Sequence, residues 1–161
     1  MEKEFIDLVN NNRALIFKVC NLYCRDREIR RDLFQEVVLQ LWKSFPGFRN
    51  ESSGSTWIYR VALNTAISNF RKDLKKPGQK PISRMEFEIP DMSDPDESKE
   101  NKNILHMAIG KLSDIEKAII MLYLDEKTYE EISEIAGISV SNVGVRINRI
   151  KIKLSTIVKT Y

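Results

Sequence analysis

Ser141, Asn142, Val145, Arg146 and Arg149 recur along the stretch "YEEISEIAGISVSNVGVRINRI" (129–150). Each offers a contact that a base-pair edge can accept. An Arg fork matches the two acceptors of guanine, an Asn amide matches adenine, and a Val side chain meets the methyl of thymine. Lys151 and Lys153 follow, and ammonium groups there suit phosphates, which fix position without reading sequence. A second set lies in "STWIYRVALNTAISNFRK" (55–72), where Trp57, Arg60, Val61, Asn64, Ser68, Arg71 and Lys72 fall on one side of a helical wheel. An exposed indole among cations and amides suits stacking on an unpaired base. The polar run just before it holds Asn50, Ser52, Ser53 and Ser55, all small hydrogen-bonding groups.

Other chemistry has little to work with. His106 is the sole histidine, and Cys20 and Cys24 are the only cysteines, four apart within a helical pattern. Two thiols without a nearby imidazole do not make a zinc site. No metal, no cofactor, no catalytic constellation and no small-molecule substrate are therefore expected, and the chain reads as a non-enzyme. The amino terminus "MEKEFIDLVNN" has no apolar signal core, and no apolar run reaches the ~18 residues of a membrane helix. Cytoplasmic residence, with reduced thiols, is the expectation.

Charge is distributed unevenly. The net charge is only +3, but after Ile135 every charged residue is basic: Arg146, Arg149, Lys151, Lys153 and Lys159. A basic stretch confined to one helix is a usual footprint of nucleic-acid binding, although a solvated helix face has the same composition.

These residues need helices to position them. Six Gly and five Pro in 161 residues, with little period-two alternation, predict an all-α chain. Apolar spacing predicts three helices in residues 1–75: one across 4–24, one from Arg27 to Phe45 ending at "PGF", and one from Thr56 to Leu74. Residues 76–102 mix Pro, Gly, Ser and acids in the manner of a flexible linker. Four helices are predicted in 103–161. Ser113 with Glu116, and Thr128 with Glu131, are capping boxes, and Ser139 is a third N-cap. Gly137 supplies the left-handed residue between two short helices, which makes a helix-turn-helix. Val143, Ile147 and Ile150 are its predicted buried stripe.

In the second helix, Leu33, Phe34, Val37, Val38, Leu41 and Phe45 share one arc, with Trp42 at its edge. Asp32, Gln35, Glu36, Gln40 and Lys43 share the other, and Leu39 sits among them. A large apolar side chain ringed by polar ones marks a candidate binding surface.

The order of these blocks resembles the bacterial RNA polymerase sigma factors of the extracytoplasmic-function (ECF) group. "DLFQEVVLQLWKSF" (32–45) is similar to the family's core-polymerase-binding helix, and 55–72 to the helix that reads and melts the minus-ten element. Residues 112–154 resemble the domain that reads the minus-thirty-five element. The resemblance implies a promoter-specificity subunit whose Asp32, Gln35, Glu36 and Leu39 dock on the beta-prime clamp helices. It implies that the Asn50–Ser55 loop captures a flipped-out base while Trp57 props the duplex open. It also implies promoter DNA, duplex and melted, as a partner, and an anti-sigma factor that can hold the chain at the membrane. A tether of about 27 residues reaches some 90 Å when extended, more than the ~70 Å of two duplex turns. The alternatives are a stand-alone helix-turn-helix regulator and a pure interaction protein. Three positions depart from the family pattern: Ser133 stands where Ala is usual, Asn142 where Thr or Glu is frequent, and Gly144 where a polar residue is common.

Overall fold

Asn12 divides the first apolar stretch. A computed structural model describes residues 1–48, 53–74 and 97–160, with backbone alone at 73–74 and 97–102. In it α1 (Glu2–Asn11) and α2 (Arg13–Tyr23) meet at Asn12, whose φ of −117° and ψ of 17° lie outside the helical region. Its side-chain amide donates to the Leu8 carbonyl at 2.8 Å, closing the end of α1. Asn competes with the helix for backbone hydrogen bonds, so the apolar period continues while the helix does not. The first of the three predicted amino-terminal helices is thus two.

α3 (Arg27–Ser44) starts at Asp26, which accepts the Glu28 and Ile29 amides at 2.9 and 3.1 Å. It tightens into a 3-10 turn, Phe45–Gly47, where Pro46 has no amide to continue the ladder. α4 (Gly54–Leu74) begins two residues before the predicted Thr56, because the Ser53 hydroxyl accepts the Thr56 amide at 3.2 Å. Gly54 has a steric role. A Cβ there would lie 2.7 Å from the Leu8 Cδ1 of α1, so the start of α4 and α1 approach closely.

α4 packs on both α2 and α3. Ile16, Val19, Cys20 and Tyr23 of α2, Leu33, Val37 and Leu41 of α3, and Ile58, Tyr59, Ala62, Leu63, Ala66 and Phe70 of α4 form the core. Full burial of each large member contributes about 1.5–3 kcal/mol. Cys20 and Cys24 are buried and not joined in a disulfide. Burial, helped by the neighbouring Cys24, pushes the Cys20 thiol up to about 12, so it stays neutral and inert. Among the described residues no cluster of ligating side chains suits a metal ion.

The carboxy-terminal helices are α5 (Glu97–Gly110), α6 (Asp114–Leu124), α7 (Tyr129–Ala136) and α8 (Val140–Val158). α5 begins inside the stretch predicted as linker. Its first turns, "ESKENK", hold no apolar residue, so an apolar period does not reveal them. The remainder of that predicted linker, 76–96, lies outside the described residues, as do the Leu74 side chain, Asn50 and Ser52.

Both capping boxes form, at Ser113/Glu116 and Thr128/Glu131. Between α6 and α7 the chain closes a Schellman turn: Lys127 N–H donates to Leu122 O at 3.1 Å and Glu126 N–H to Tyr123 O at 3.0 Å, with Glu126 at φ 62°. Between α7 and α8, Gly137 takes φ 73° and Ile138 N–H returns to Ser133 O at 3.3 Å. The Ser133 hydroxyl donates back to the Ile138 carbonyl, so this departure from the family pattern ties the turn shut. Val143, Ile147, Ile150 and Leu154 face inward from α8 onto Ile119, Leu122, Ile132 and Ile135. The chain thus divides into two compact units, Met1–Met85 and Glu86–Tyr161.

Candidate nucleic-acid interface

α8 is held by its buried stripe, so its remaining faces are set. Ser139 caps it, accepting the Asn142 amide at 3.1 Å. Ser141, Val145 and Arg149 are exposed, and Asn142 and Arg146 are half-buried at the edge of the same surface. Two further residues complete the exposed row. Asn148 and Ile152 follow Val145 by three and seven positions, and Ile152 is 69% exposed. The spacing that placed Ser141 and Val145 there applies equally to them.

Lys151 and Lys153 flank the buried stripe on opposite sides, and both reach α6. Lys153 Nζ donates to Glu116 Oε1 at 2.9 Å, and the same carboxylate oxygen accepts the Ser113 amide at 3.0 Å. Burial alone would raise the Glu116 carboxyl, but the Ser113 amide and Lys153 outweigh it and hold it below the ordinary range. Lys153 therefore meets a carboxylate of its own unit rather than standing free for a phosphate, as the sequence had suggested. Lys151 instead donates to the Tyr123 hydroxyl at 2.8 Å and remains exposed.

In the amino-terminal unit, Arg60, Asn64, Ser68, Arg71 and Lys72 are exposed along one face of α4. Trp57 is not. It is only 9% exposed, its ring stacked on Phe48 with centroids 4.6 Å apart and planes 21° apart, with Phe45 at 6.1 Å on a tilted plane. The prediction of an exposed indole is corrected: wheel position ignored the aromatic residues of the 3-10 turn, which fold back over the first turn of α4. Phe45 also meets Phe5 of α1 at 5.3 Å, and Phe5 meets Trp42 at 4.9 Å, both edge-on. Of the loop hydroxyls, Ser53 donates to Thr56 Oγ1 at 2.8 Å and lies 3.2 Å from Ser55 Oγ, so both are tied to the helix start.

The third surface is the outer face of α3. Asp32 and Gln35 are exposed, Glu36 accepts from Gln40 Nε2 at 2.9 Å, and Leu39 stands 44% exposed between them. Trp42, three residues on and 42% exposed, extends its apolar centre.

Comparison with known proteins matches both units. The family model for sigma-70 region 2 covers residues 8–75, and that for sigma-70 region 4 covers residues 102–154. The ECF RNA polymerase sigma factor SigW of Bacillus subtilis (strain 168) is 29% identical over 156 residues, covering 90% of this chain and 83% of that one. The ECF RNA polymerase sigma-E factor of Escherichia coli (strain K12) is 30% identical over 129 residues, 73% of this chain and 68% of that one. This chain belongs to the sigma-70 family of RNA polymerase sigma factors, in the ECF group.

As a sigma factor it directs promoter-specific initiation by RNA polymerase; a stand-alone helix-turn-helix regulator would lack the matched region ahead of α5. Solved structures agree in fold. CnrH, in a structure with the cytosolic domain of CnrY, aligns at a TM-score of 0.71 and 17% identity over 99% of this chain and 90% of that one. RpoE of Bartonella quintana, crystallised with the anti-sigma factor NepR, aligns at 0.71 and 16% identity over 98% of each chain. Among the described residues of this sigma factor, no helix is long and apolar enough to cross a membrane.

Proposed function

We propose that the sigma factor divides its labour as the sequence order suggests. Residues 1–75 dock on polymerase and open the minus-ten element, 103–161 read the minus-thirty-five duplex, and the segment between joins them. The exposed row on α8 carries the reading of the second unit. A tight capped turn presents Ser141, Asn142, Val145, Arg146 and Arg149 from a rigid helix, with Asn148 and Ile152 beside them. The α3 face of Asp32, Gln35, Glu36 and Leu39 is the docking surface for the beta-prime clamp helices. Its exposed leucine within a polar ring supports that role.

Arg60, Asn64, Ser68, Arg71 and Lys72 meet the promoter near the melted region, with Ser53 and Ser55 at the mouth of the base-capturing loop. Trp57 packs the start of α4 against Phe48 and Phe45. The polymerase supplies the chemistry, and the chain supplies the choice of site. Residence in the cytoplasm and control by an anti-sigma partner complete the reading, supported by likeness to factors crystallised with such partners.

Arg149→Ala tests the duplex-reading face. In polymerase holoenzyme it weakens binding by about 1–3 kcal/mol at one base position if Arg149 reads a base edge. Equal loss on every upstream sequence would reduce Arg149 to a phosphate contact.

A further inference from the structure

Gly144, Asn148 and Lys151 form a row along one flank of α8, beside the row of Ser141, Val145 and Ile152. Two tyrosines from other elements stand over this flank. The Tyr129 ring of α7 lies above Gly144, with Cε2 3.5 Å from where a Cβ would be. From the end of α6, the Tyr123 hydroxyl accepts from Lys151 Nζ at 2.8 Å, and the ammonium also sits 4.4 Å from the Tyr123 ring centroid. The hydrogen bond to Tyr123 holds Lys151 above the ordinary lysine range, so it is fully charged at neutral pH.

Donor counting decides what the pair can do. An ammonium has three N–H donors, and Tyr123 takes one, leaving two. The Tyr123 oxygen accepts from Lys151, which leaves its own O–H free to donate. Two outward donors on atoms 2.8 Å apart, one of them cationic, make a seat for a single anionic oxygen pair. Lysine alone is a flexible point charge; here its long stem is steered by a ring whose place is set by the Schellman turn at Tyr123–Lys127.

We propose that Tyr123 and Lys151 together form a seat for one DNA phosphodiester at the flank of the recognition helix, with Tyr123 as the positioning residue for Lys151. The inference rests on the reading of the carboxy-terminal unit as a duplex reader. It makes the two lysines unequal: Lys151 is paired with a neutral hydroxyl that can itself donate to a phosphate, whereas Lys153 is paired with the Glu116 carboxylate, which would repel one.

The test uses holoenzyme assembled from core polymerase and the full chain. The probe is a duplex promoter selected from a randomised library by the wild-type holoenzyme, scanned with single neutral methylphosphonates across its upstream element. Wild type should lose about tenfold to a hundredfold at one phosphate of the flank, as expected for a charge-assisted hydrogen bond. Lys151→Gln should be insensitive at that phosphate alone, with a salt dependence shallower by about one. Tyr123→Phe keeps the ring and removes the oxygen, so it should lose most of the same sensitivity, and the double variant should be no worse than Lys151→Gln. Lys153→Gln should leave the profile unchanged. If methylphosphonates matter but both single variants keep the wild-type profile, the seat is wrong and the duplex reading stands. If Tyr123→Phe alone keeps it, the positioning role is wrong. If no upstream methylphosphonate affects wild type, the duplex reading itself fails and the seat with it.

Discussion

Trp57→Ala lowers the stability of the amino-terminal unit by about 3–5 kcal/mol, the usual loss when a packed Trp is truncated. Its ring is held between α4 and the aromatic residues of the 3-10 turn, and alanine leaves Phe48 and Phe45 facing a void. Urea unfolding of the full chain measures this. Trp42, the other tryptophan, remains in the same unit as the fluorescent probe. An indole standing free in solvent to wedge open DNA would instead give a change within about 0.5 kcal/mol. Trp57→Phe should recover much of the loss, because a second ring still stacks on Phe48. Defects of Trp57→Ala in promoter opening then arise from a loosened start of α4.

Leu39→Asp has the opposite profile. Leu39 lies outside the core, so unfolding should shift by no more than about 0.5 kcal/mol. Affinity for core polymerase should fall by about 30-fold or more, the ~2 kcal/mol expected of a central apolar contact at an interface. Replacing it with a carboxylate adds the cost of burying charge among Asp32 and Glu36, so the substitution works by repulsion as well as loss. Titration of labelled chain with core polymerase measures it. Wild-type affinity with Leu39→Asp would place the docking surface elsewhere.

Local signals gave most of this architecture away. Ser113/Glu116, Thr128/Glu131, Ser139 and Gly137 act within a few residues, and each sits where its chemistry requires. The buried stripe Val143–Ile147–Ile150 was legible for the same reason: one helical period specifies it. The break at Asn12 is not legible, because helical spacing runs on through a residue whose side chain ends the helix. The start of α5 is not legible in the sequence, because its opening turns carry charge and no apolar period.

The site was legible less evenly. Exposure of Arg60, Asn64, Ser68, Val145 and Arg149 follows from their own helices, so a wheel finds it. Trp57 and Lys153 depend on partners outside their own helices, Phe48 from just beyond the preceding 3-10 turn and Glu116 from α6. A wheel shows which way a side chain sets out from its own helix and is blind to what arrives from another. Tyr123 escaped for that reason: nothing about "MLYLDEK" announces that its hydroxyl meets Lys151.

The most direct measurement is transcription from a randomised promoter library by core polymerase with and without the purified chain, at low ionic strength and free of any inhibitor. Start sites should appear only when the chain is present, preceded by two sequence elements nearly two helical turns apart. Unchanged initiation, together with no association between chain and polymerase, would contradict it.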